Sequence, residues 1–193
     1  MKIDKPATCI SVYRDVFEPD MAKEFIKLLD KEIEDDWSEL SWGSSGVGQG
    51  VVTQYRTSLS CSLVPLMKPY PETELSLFFD RTIGKPVARV CEDYRREYLI
   101  ANAMFEPYQI LKYLPESEYH AHYDHFKDNA RVFSMVANLI SPEEGGHLEF
   151  PIFDTTVKCE AGSVVLFPSN FPYLHIAHPV LSGTKYSLVT WFR

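Results

Sequence analysis

The segment 119–126, YHAHYDHF, carries three histidines and one aspartate in alternation. Because a β-strand points successive side chains to opposite faces, His120, His122 and Asp124 are predicted to share one face. An imidazole and a carboxylate aimed at one point, with a third ligand from elsewhere in the chain, would form a metal site with two histidines and one carboxylate. Such a ligand set suits Fe(II) and leaves open coordination positions.

The C-terminal segment supplies a candidate for the third ligand and a cation. His175 is followed ten residues later by Lys185. A metal held by His122, Asp124 and His175 would keep positions free for a bidentate cosubstrate and for oxygen. Lys185 would suit the far carboxylate of a dicarboxylic cosubstrate such as 2-oxoglutarate, because a charged pair in a partly buried pocket is strong and directional.

Two other classes of protein contain parts of this pattern. The pair of His120 and His122 also fits a cupin-like metal protein, but the glutamate expected at short spacing downstream is missing, and Lys185 would then be unexplained. A catalytically silent β-scaffold that binds a partner would have no need for the triad and the lysine together. The metal-dependent enzyme is therefore the favoured hypothesis.

The elements that must position these residues divide the chain into two halves. Residues 1–102 predict a strand at 10–13, an amphipathic helix from 15 to about 34, a strand at 51–60, and helices at 72–82 and 86–99 with Gly84 as a stop between them. Residues 103–193 predict strands at about 105–114, 119–125, 131–140, 146–150, 155–158, 163–167, 172–177 and 184–192. This pattern predicts one α+β domain over 1–193, with helical support in 1–102 and a mainly β sandwich or jelly roll in 103–193.

The segment 37–50 contains four glycines and four serines and is predicted to be a loop. It fits a surface connection and a flap near an active site equally well, because binding residues often lie on loops.

Composition excludes several kinds of partner. The net charge is −8, and no cluster of lysine and arginine is dense enough for a nucleic-acid surface. The four cysteines are widely scattered without a CxxC pair, which argues against a thiolate zinc site. The N-terminus lacks the apolar run of a signal peptide, and no stretch has the length of a membrane span. We therefore expect a cytoplasmic protein that binds no membrane.

The second half of the chain resembles the 2-oxoglutarate- and Fe(II)-dependent oxygenases, specifically their prolyl 4-hydroxylase-like branch. The resemblance is close over about residues 103–193, where the matching pieces are EPYQILKY, YHAHYDHF, EEGGHLEFP, AGSVVLFPS and LHIAHPVLSGTKYSLVTWF. The first helix and the strand at 55–58 also resemble the entry region of the family. Because no separate peptide-binding domain is apparent, the chain resembles the short, stand-alone microbial or viral hydroxylases.

This resemblance implies a double-stranded β-helix (jelly roll) flanked by N-terminal helices. The implied site residues are His122, Asp124 and His175 as iron ligands, Lys185 and Tyr113 as contacts of 2-oxoglutarate, and Tyr119, Arg131 and Trp191 as contacts of a prolyl substrate. The implied cofactors are Fe(II), 2-oxoglutarate and O2, with ascorbate as an optional addition. The implied reaction hydroxylates a C–H bond and converts 2-oxoglutarate to succinate and CO2. The implied substrate is a prolyl residue in a peptide or protein, with a free amino acid or another small molecule as the alternative.

One position departs from the pattern of the family. Where many relatives have Tyr-Leu-Asn, this chain has Asn138-Leu139-Ile140. A tyrosine that often assists cosubstrate binding is therefore absent, and the resemblance predicts a different hydrogen-bond pattern at this point.

Overall fold

Short strands dominate the fold, as the β-prone runs predict. The computed structural model describes residues 1–35, 38–46, 54–67, 69–101, 103–126 and 130–193. Its strands are β1 (Lys2–Ala7), β2 (Ile10–Arg14), β3 (Gly43–Ser44), β4 (Leu59–Ser62), β5 (Gln109–Tyr113), β6 (Tyr119–His122), β7 (Phe133–Ile140), β8 (Glu144–Gly145), β9 (Leu148–Phe150), β10 (Thr155–Val157), β11 (Val164–Pro168), β12 (His175–Ala177), β13 (Val180–Ser182) and β14 (Lys185–Phe192). Each of the strands predicted after residue 103 is present.

The strands form two main antiparallel sheets. The larger sheet has the order β1-β2-β11-β7-β14-β5-β4-β3, and the smaller one has the order β10-β9-β12-β6. A further small pair joins β13 to β8. Several neighbouring strands, such as β2 and β11 or β6 and β12, come from distant parts of the sequence, as in a jelly roll. The predicted fold class, a mainly β double-stranded β-helix with N-terminal helices, is confirmed.

Two apolar layers cover the two faces of the larger sheet. On β14, Tyr186 and Leu188 belong to the core beneath the helices, whereas Val189 and Trp191 pack with residues of β5 and β12. This alternation follows from the period of two in a strand. A third cluster joins β2 and β11 of the larger sheet to β9 and β10 of the smaller one, and includes Val165 and Phe167. The face of the larger sheet that turns towards the smaller sheet is therefore the one that carries Lys185 and its alternate neighbours.

The helices pack on the other face of the larger sheet. They are α1 (Pro19–Ile33), α2 (Glu74–Phe79) and α3 (Lys85–Glu97), with short 3-10 turns at Val64–Leu66 and Pro151–Phe153. The buried residues of α1 recur at helical spacing and include Phe25, whose ring lies 5.1 Å from that of Phe79 in α2. The predicted amphipathic helix is thus present, but it begins at Pro19, not at residue 15.

Two predicted boundaries in the first half are wrong. Gly84 does not stop the chain between two helices, because a π-helical segment, Asp80–Gly84, joins α2 directly to α3. The strand expected at 51–60 begins only at Leu59, and residues 51–53 lie outside the described residues. A β-prone composition indicates a strand but does not identify the neighbour with which it pairs, so its ends are poorly determined.

The predicted loop at 37–50 is only partly described. Residue 37 and residues 47–50 lie outside the described ranges, while Gly43–Ser44 forms the edge strand β3 beside β4. Within the described ranges, we find no helix that is both long enough and apolar enough to span a membrane.

Candidate metal centre and adjoining cavity

His122, Asp124 and His175 come together at one end of the smaller sheet. Their potential ligand atoms all lie within 4.8 Å of one another. The Nε2 atom of His122 is 3.5 Å from Asp124 Oδ1, and the Nε2 atom of His175 is 3.6 Å from Asp124 Oδ2. Among the described residues, no other group of histidine, cysteine and acidic side chains has this geometry. Two imidazole nitrogens and a carboxylate therefore converge on one point.

Two neighbouring strands and a turn produce this arrangement. His175 on β12 pairs directly with His122, the last residue of β6, so the two rings lie side by side with centroids 4.1 Å apart. The prediction that Asp124 continues the strand is wrong, because β6 ends at His122. Instead, the backbone N–H of Asp124 donates to the carbonyl of Ser169 at 3.0 Å, which holds the aspartate beyond the end of the strand.

Backbone carbonyls orient both histidine rings. The Nδ1 atom of His122 lies 2.7 Å from the carbonyl oxygen of His120, and the Nδ1 atom of His175 lies 3.1 Å from that of Tyr173. Only a protonated nitrogen can donate to a carbonyl, so each Nδ1 carries a hydrogen, and in the neutral ring the lone pair is then on Nε2. Fixing the tautomer through the second nitrogen is the usual way in which proteins prepare histidines for a metal ion.

The electrostatics of the three groups favour a neutral histidine and an ionised aspartate. Burial, together with the neighbouring His122, lowers the pKa of His175 to about 4, although Asp124 opposes the shift. Burial alone would raise the pKa of Asp124, but the two histidines and a hydrogen bond from Ser134 hold it well below its usual range. Ser134 Oγ donates to Asp124 Oδ2 at 2.7 Å and also contacts Ser169 Oγ at 2.8 Å. These protonation states are the ones that bind a cation.

A cavity extends from the three residues into the space between the two sheets. Lys185 lines it and is only 3% exposed, although lysine is rarely buried without a partner. Its Nζ donates to the carbonyl of Gly146 at 2.7 Å and lies 4.9 Å from the centre of the Tyr113 ring. No carboxylate in the described part of the chain forms an ion pair with Lys185. The cavity is therefore lined both by the buried ammonium group of Lys185 and by the three converging side chains of His122, Asp124 and His175.

Tyr113 is positioned by the register of the larger sheet. It pairs directly with Lys185 across β5 and β14, is buried, and lines the same cavity. The structure therefore places both predicted cosubstrate contacts on one wall of the cavity.

Tyr119, Arg131 and Trp191 lie around the triad. The Tyr119 ring stacks on His122 with centroids 3.5 Å apart, and the guanidinium of Arg131 lies 3.8 Å from the centre of the Trp191 ring. Burial raises the pKa of Tyr119 to about 12, so its hydroxyl stays protonated. Tyr119 and Trp191 line the cavity directly.

Arg131 is held more firmly than the sequence indicates. Its Nε and Nη2 atoms donate to the two carboxylate oxygens of Glu106 at 2.8 and 2.6 Å, and its Nη1 donates to the carbonyl of Asp124 at 3.3 Å. Both side chains of this pair are largely buried. Sequence reasoning missed Glu106, because nothing in the local pattern indicates which arginine it meets 25 residues later.

The remaining histidines stay outside the cluster. His120 is exposed and contacts Glu118. His147 and His178 stack on each other with centroids 4.1 Å apart, and His178 contacts Glu149.

Asn138 and Ser187 also line the cavity, and each carries a buried oxygen without a partner among the described residues. Sequence reasoning noted Asn138 only as a departure and missed Ser187. The available signal was the alternation of the last strand, which places Ser187 on the same face as Lys185.

Known proteins with similar sequences indicate the family that this chain resembles. Residues 108–193 match the family model of the 2OG-Fe(II) oxygenase superfamily. Prolyl 4-hydroxylase 1 of Arabidopsis thaliana is 28% identical over 173 residues, which is 76% of this chain and 56% of the relative. The chain spans about half the length of the curated relatives it matches.

Two solved structures have a similar fold. The viral collagen prolyl hydroxylase from Paramecium Bursaria Chlorella virus-1, solved as a complex with 2OG, superposes with a TM-score of 0.69 over 97% of each chain at 20% identity. A Pseudomonas putida prolyl-4-hydroxylase superposes with a TM-score of 0.70 over 96% of this chain and 92% of that chain, also at 20% identity. The match to the family model and the similarity to the Arabidopsis thaliana relative confirm the resemblance to the prolyl 4-hydroxylase-like branch, and the two solved structures support the jelly-roll fold.

Proposed function

We propose that this chain, which resembles the prolyl 4-hydroxylase-like branch of the 2OG-Fe(II) oxygenases, is an Fe(II)- and 2-oxoglutarate-dependent dioxygenase that hydroxylates a prolyl residue in a peptide or protein. One observation carries the proposal: the converging Nε2 atoms and carboxylate share a cavity with a buried lysine that forms no ion pair in the described part of the chain. The three converging ligand atoms suit a divalent metal ion, and the buried lysine suits an anion. A 2-oxo dicarboxylate would contact the metal ion with one end and the lysine with the other.

The donor set fits iron. His122, Asp124 and His175 would hold Fe(II) on one side and leave the side towards the cavity open. When bound, Fe(II) with 2-oxoglutarate and O2 supplies the oxidising power to hydroxylate an unactivated C–H bond, with release of succinate and CO2. The chain prepares this site by keeping His175 neutral and by keeping Asp124 ionised and hydrogen-bonded to Ser134.

Lys185 and Tyr113 would hold the far end of 2-oxoglutarate. The ammonium group of Lys185 uses one donor on Gly146 and has two N–H groups left for a carboxylate. The hydroxyl of Tyr113 adds a neutral donor on the same wall. A carboxylate at this position would give the buried lysine the counter-charge that it lacks among the described residues.

The substrate side would be formed by the aromatic residues at the triad. Tyr119 and Trp191 supply flat apolar surfaces that suit the ring of a proline. The guanidinium of Arg131 packs on the ring of Trp191. Three of its five N–H groups donate to the carboxylate of Glu106 and to the carbonyl of Asp124. Its two remaining N–H groups would be the donors to a peptide carbonyl. Arg131 would thus both position Trp191 and contact the peptide.

The test is mass spectrometry of proline-containing peptides incubated with the protein, Fe(II), 2-oxoglutarate and O2. We expect a peptide to gain one oxygen atom at proline, with one succinate released for each hydroxylation. Asp124→Asn is the control without a charged ligand, and it should form neither product.

The outcomes separate the parts of the proposal. If no 2-oxoglutarate is consumed with any substrate, the oxygenase assignment is wrong. If free proline or another amino acid is hydroxylated far better than every prolyl peptide, the peptidyl substrate is wrong and the oxygenase assignment stands.

A further inference from the structure

A second cavity, with a volume of about 900 Å³, lies on the helical side of the larger sheet. We call it the rear cavity, and its main lining residues are Phe79, Ala88, Cys91, Phe105, Tyr108 and Phe192. Among the residues that the structure describes, none lines both this cavity and the one at the candidate metal centre. Phe192 and Trp191 are neighbours on β14 but line different cavities, because successive residues of a strand face opposite sides. The rear cavity is therefore separate from the proposed active site.

Aromatic rings form one wall of the rear cavity. The ring centre of Tyr108 lies 5.6 Å from that of Phe79 and 5.8 Å from that of Phe105. The Phe105 ring in turn lies 6.4 Å from that of Phe192, so four rings follow one another at the spacing of aromatic contacts. Phe105 is half-exposed, which leaves part of this wall open to solvent. Such a wall suits a flat aromatic ligand, because aromatic rings bury a large apolar area and pack well on one another.

The hydroxyl of Tyr108 has no hydrogen-bond partner in the described part of the chain. Tyr108 is only 9% exposed, and no hydrogen bond of its side chain is present among the described residues. Burial raises the pKa of Tyr108, so the hydroxyl keeps its hydrogen and can donate it. Burial also raises the pKa of the Cys91 thiol in the same cavity, so this group stays neutral as well. A buried hydroxyl is normally satisfied by a protein group, by water or by a ligand, and here a bound molecule with an acceptor would satisfy it.

Most charged side chains that line the rear cavity are paired with one another. Lys85 Nζ lies 2.7 Å from Asp80 Oδ2, and both carboxylate oxygens of Glu92 accept from Arg95 at 2.7 Å. The remaining charged lining residue, Glu72, is exposed to solvent. The described lining residues thus offer no free counter-charge to an ion buried in the cavity. This arrangement favours an uncharged ligand, because burying a charge without a partner is costly.

We propose that the rear cavity binds an uncharged, flat aromatic molecule that carries a hydrogen-bond acceptor, such as an aryl ketone. The ring system lies against the aromatic wall, and the acceptor receives the hydrogen of the Tyr108 hydroxyl. The volume of about 900 Å³ is within the range of small-molecule sites and is large enough for a fused ring system. The proposal is independent of the proposed function, because it uses no residue of the metal centre or of its cavity.

Three matched ligands test the chemical class. 2-Acetonaphthone has a carbonyl acceptor, 2-ethylnaphthalene has nearly the same shape without an acceptor, and 2-naphthoate carries a negative charge. Each is titrated into the isotope-labelled full chain, and binding is followed by NMR through the backbone amides of the residues that line the rear cavity. We expect the ketone to bind about 2- to 10-fold more tightly than the hydrocarbon, on the scale of one hydrogen bond. The naphthoate should bind most weakly, because a buried anion would have no counter-charge.

Tyr108→Phe removes the donor and keeps the ring. In this variant the ketone should lose its advantage, so that the two uncharged ligands bind alike. Tyr98→Phe is the matched control, since Tyr98 packs on Tyr94 and does not line the rear cavity, and it should leave the affinity for the ketone unchanged. An advantage of the ketone that persists in Tyr108→Phe would refute the role of the hydroxyl and the proposed ligand class.

Ala88→Trp tests where the ligand binds. Ala88 is an exposed residue of α3 that lines the rear cavity, so an indole at this position should fill the space without disturbing the core. Arg89→Trp adds the same group at the next exposed position of α3, which does not line the cavity. We expect Ala88→Trp to lose binding of the ketone and Arg89→Trp to bind it as the wild type does. Equal binding of the ketone to the two variants would overturn the proposal.

A competition experiment separates this proposal from the proposed function. The ketone is titrated by calorimetry into the Mn(II)-loaded protein, with and without saturating N-oxalylglycine, an analogue of 2-oxoglutarate. We expect the same affinity for the ketone in both titrations, because the two cavities share no described lining residue. Displacement of the ketone would place it at the metal centre and contradict the proposal. A ketone that shifts none of the rear-cavity amides up to its solubility limit would also contradict it, and the proposed function would stand.

Discussion

Replacement of Lys185 by methionine should separate stability from ligand binding. Lys185 is 3% exposed, and in the described part of the chain its ammonium group contacts a carbonyl and an aromatic ring but no carboxylate. A buried charge carries a desolvation penalty of several kcal/mol that only a counter-charge offsets. Lys185→Met keeps the length and removes the charge. The ligand-free variant should therefore be more stable than the wild type, by at least about 1 kcal/mol.

Ligand binding should change in the opposite direction. Removing one partner of a buried ion pair costs about 3–5 kcal/mol. At about 1.4 kcal/mol for each factor of ten, the affinity for N-oxalylglycine should fall by roughly two to three and a half orders of magnitude. Binding of Mn(II) alone should stay close to that of the wild type, because the triad does not include Lys185.

Urea unfolding without ligand and calorimetric titration with the analogue measure the two effects. Lys112→Met is the matched control, since Lys112 lies on β5 opposite Tyr186 and contacts the rings of Trp42 and Tyr186 at 5.2 and 5.4 Å. It should lose about 0.5–1 kcal/mol of stability and bind the analogue normally. A Lys185→Met protein that is less stable and binds the analogue as the wild type does would refute this reasoning, because the ammonium group would then serve the fold alone.

Three further predictions concern the residues around the site. Asp124→Ala should abolish tight Mn(II) binding in calorimetry, since two neutral imidazoles hold a divalent ion poorly; unchanged stoichiometry would contradict the triad. Arg131→Ala should lower the free energy of unfolding by about 1.5–3 kcal/mol, because the largely buried Glu106 carboxylate loses its bidentate hydrogen bonds while Arg193 remains 3.7 Å away. The double variant with Glu106→Ala should recover part of this loss in a double-mutant cycle, and full additivity would contradict the coupling. Gly145→Ala should lower the melting temperature by several degrees, because φ is +78° and the added Cβ would lie 2.4 Å from a backbone carbonyl oxygen. Gly43→Ala is the control, since its added Cβ meets no atom within 4 Å, and it should melt as the wild type does.

The pairing of Arg131 with Glu106 affects how substrate experiments are read. A loss of peptide hydroxylation in Arg131→Ala could follow from lower stability and from displacement of Asp124, as well as from a lost peptide contact. Arg131→Lys keeps the charge but not the bidentate geometry. Comparing the KM for the peptide with the affinity for Mn(II) in both variants separates the two roles, since only displacement of Asp124 weakens the metal.

The periodic features of the chain could be predicted from sequence, because they depend on local residue order. The strands after residue 103 have β-prone runs bounded by turn residues, and the first helix has apolar residues at helical spacing. The spacing of His122 and Asp124, together with the later His175 and Lys185, was sufficient to predict a metal site with a nearby cation. The chemistry of these side chains does not depend on how the strands are arranged.

Other features depended on which strands become neighbours. His122 and His175 meet because β6 pairs with β12, and Asp124 joins them only because the chain leaves the strand and is held by Ser169. The pairing of Arg131 with Glu106 and the placement of Asn138 opposite Ser187 follow from contacts and a bulge between distant segments. Sequence alone determined the chemical types of the clustered side chains and the alternation that places Lys185 and Ser187 on one face. Only the tertiary structure decided which partners those side chains meet, because register and bulges are set by packing across the whole sheet and not by the residues of a single strand.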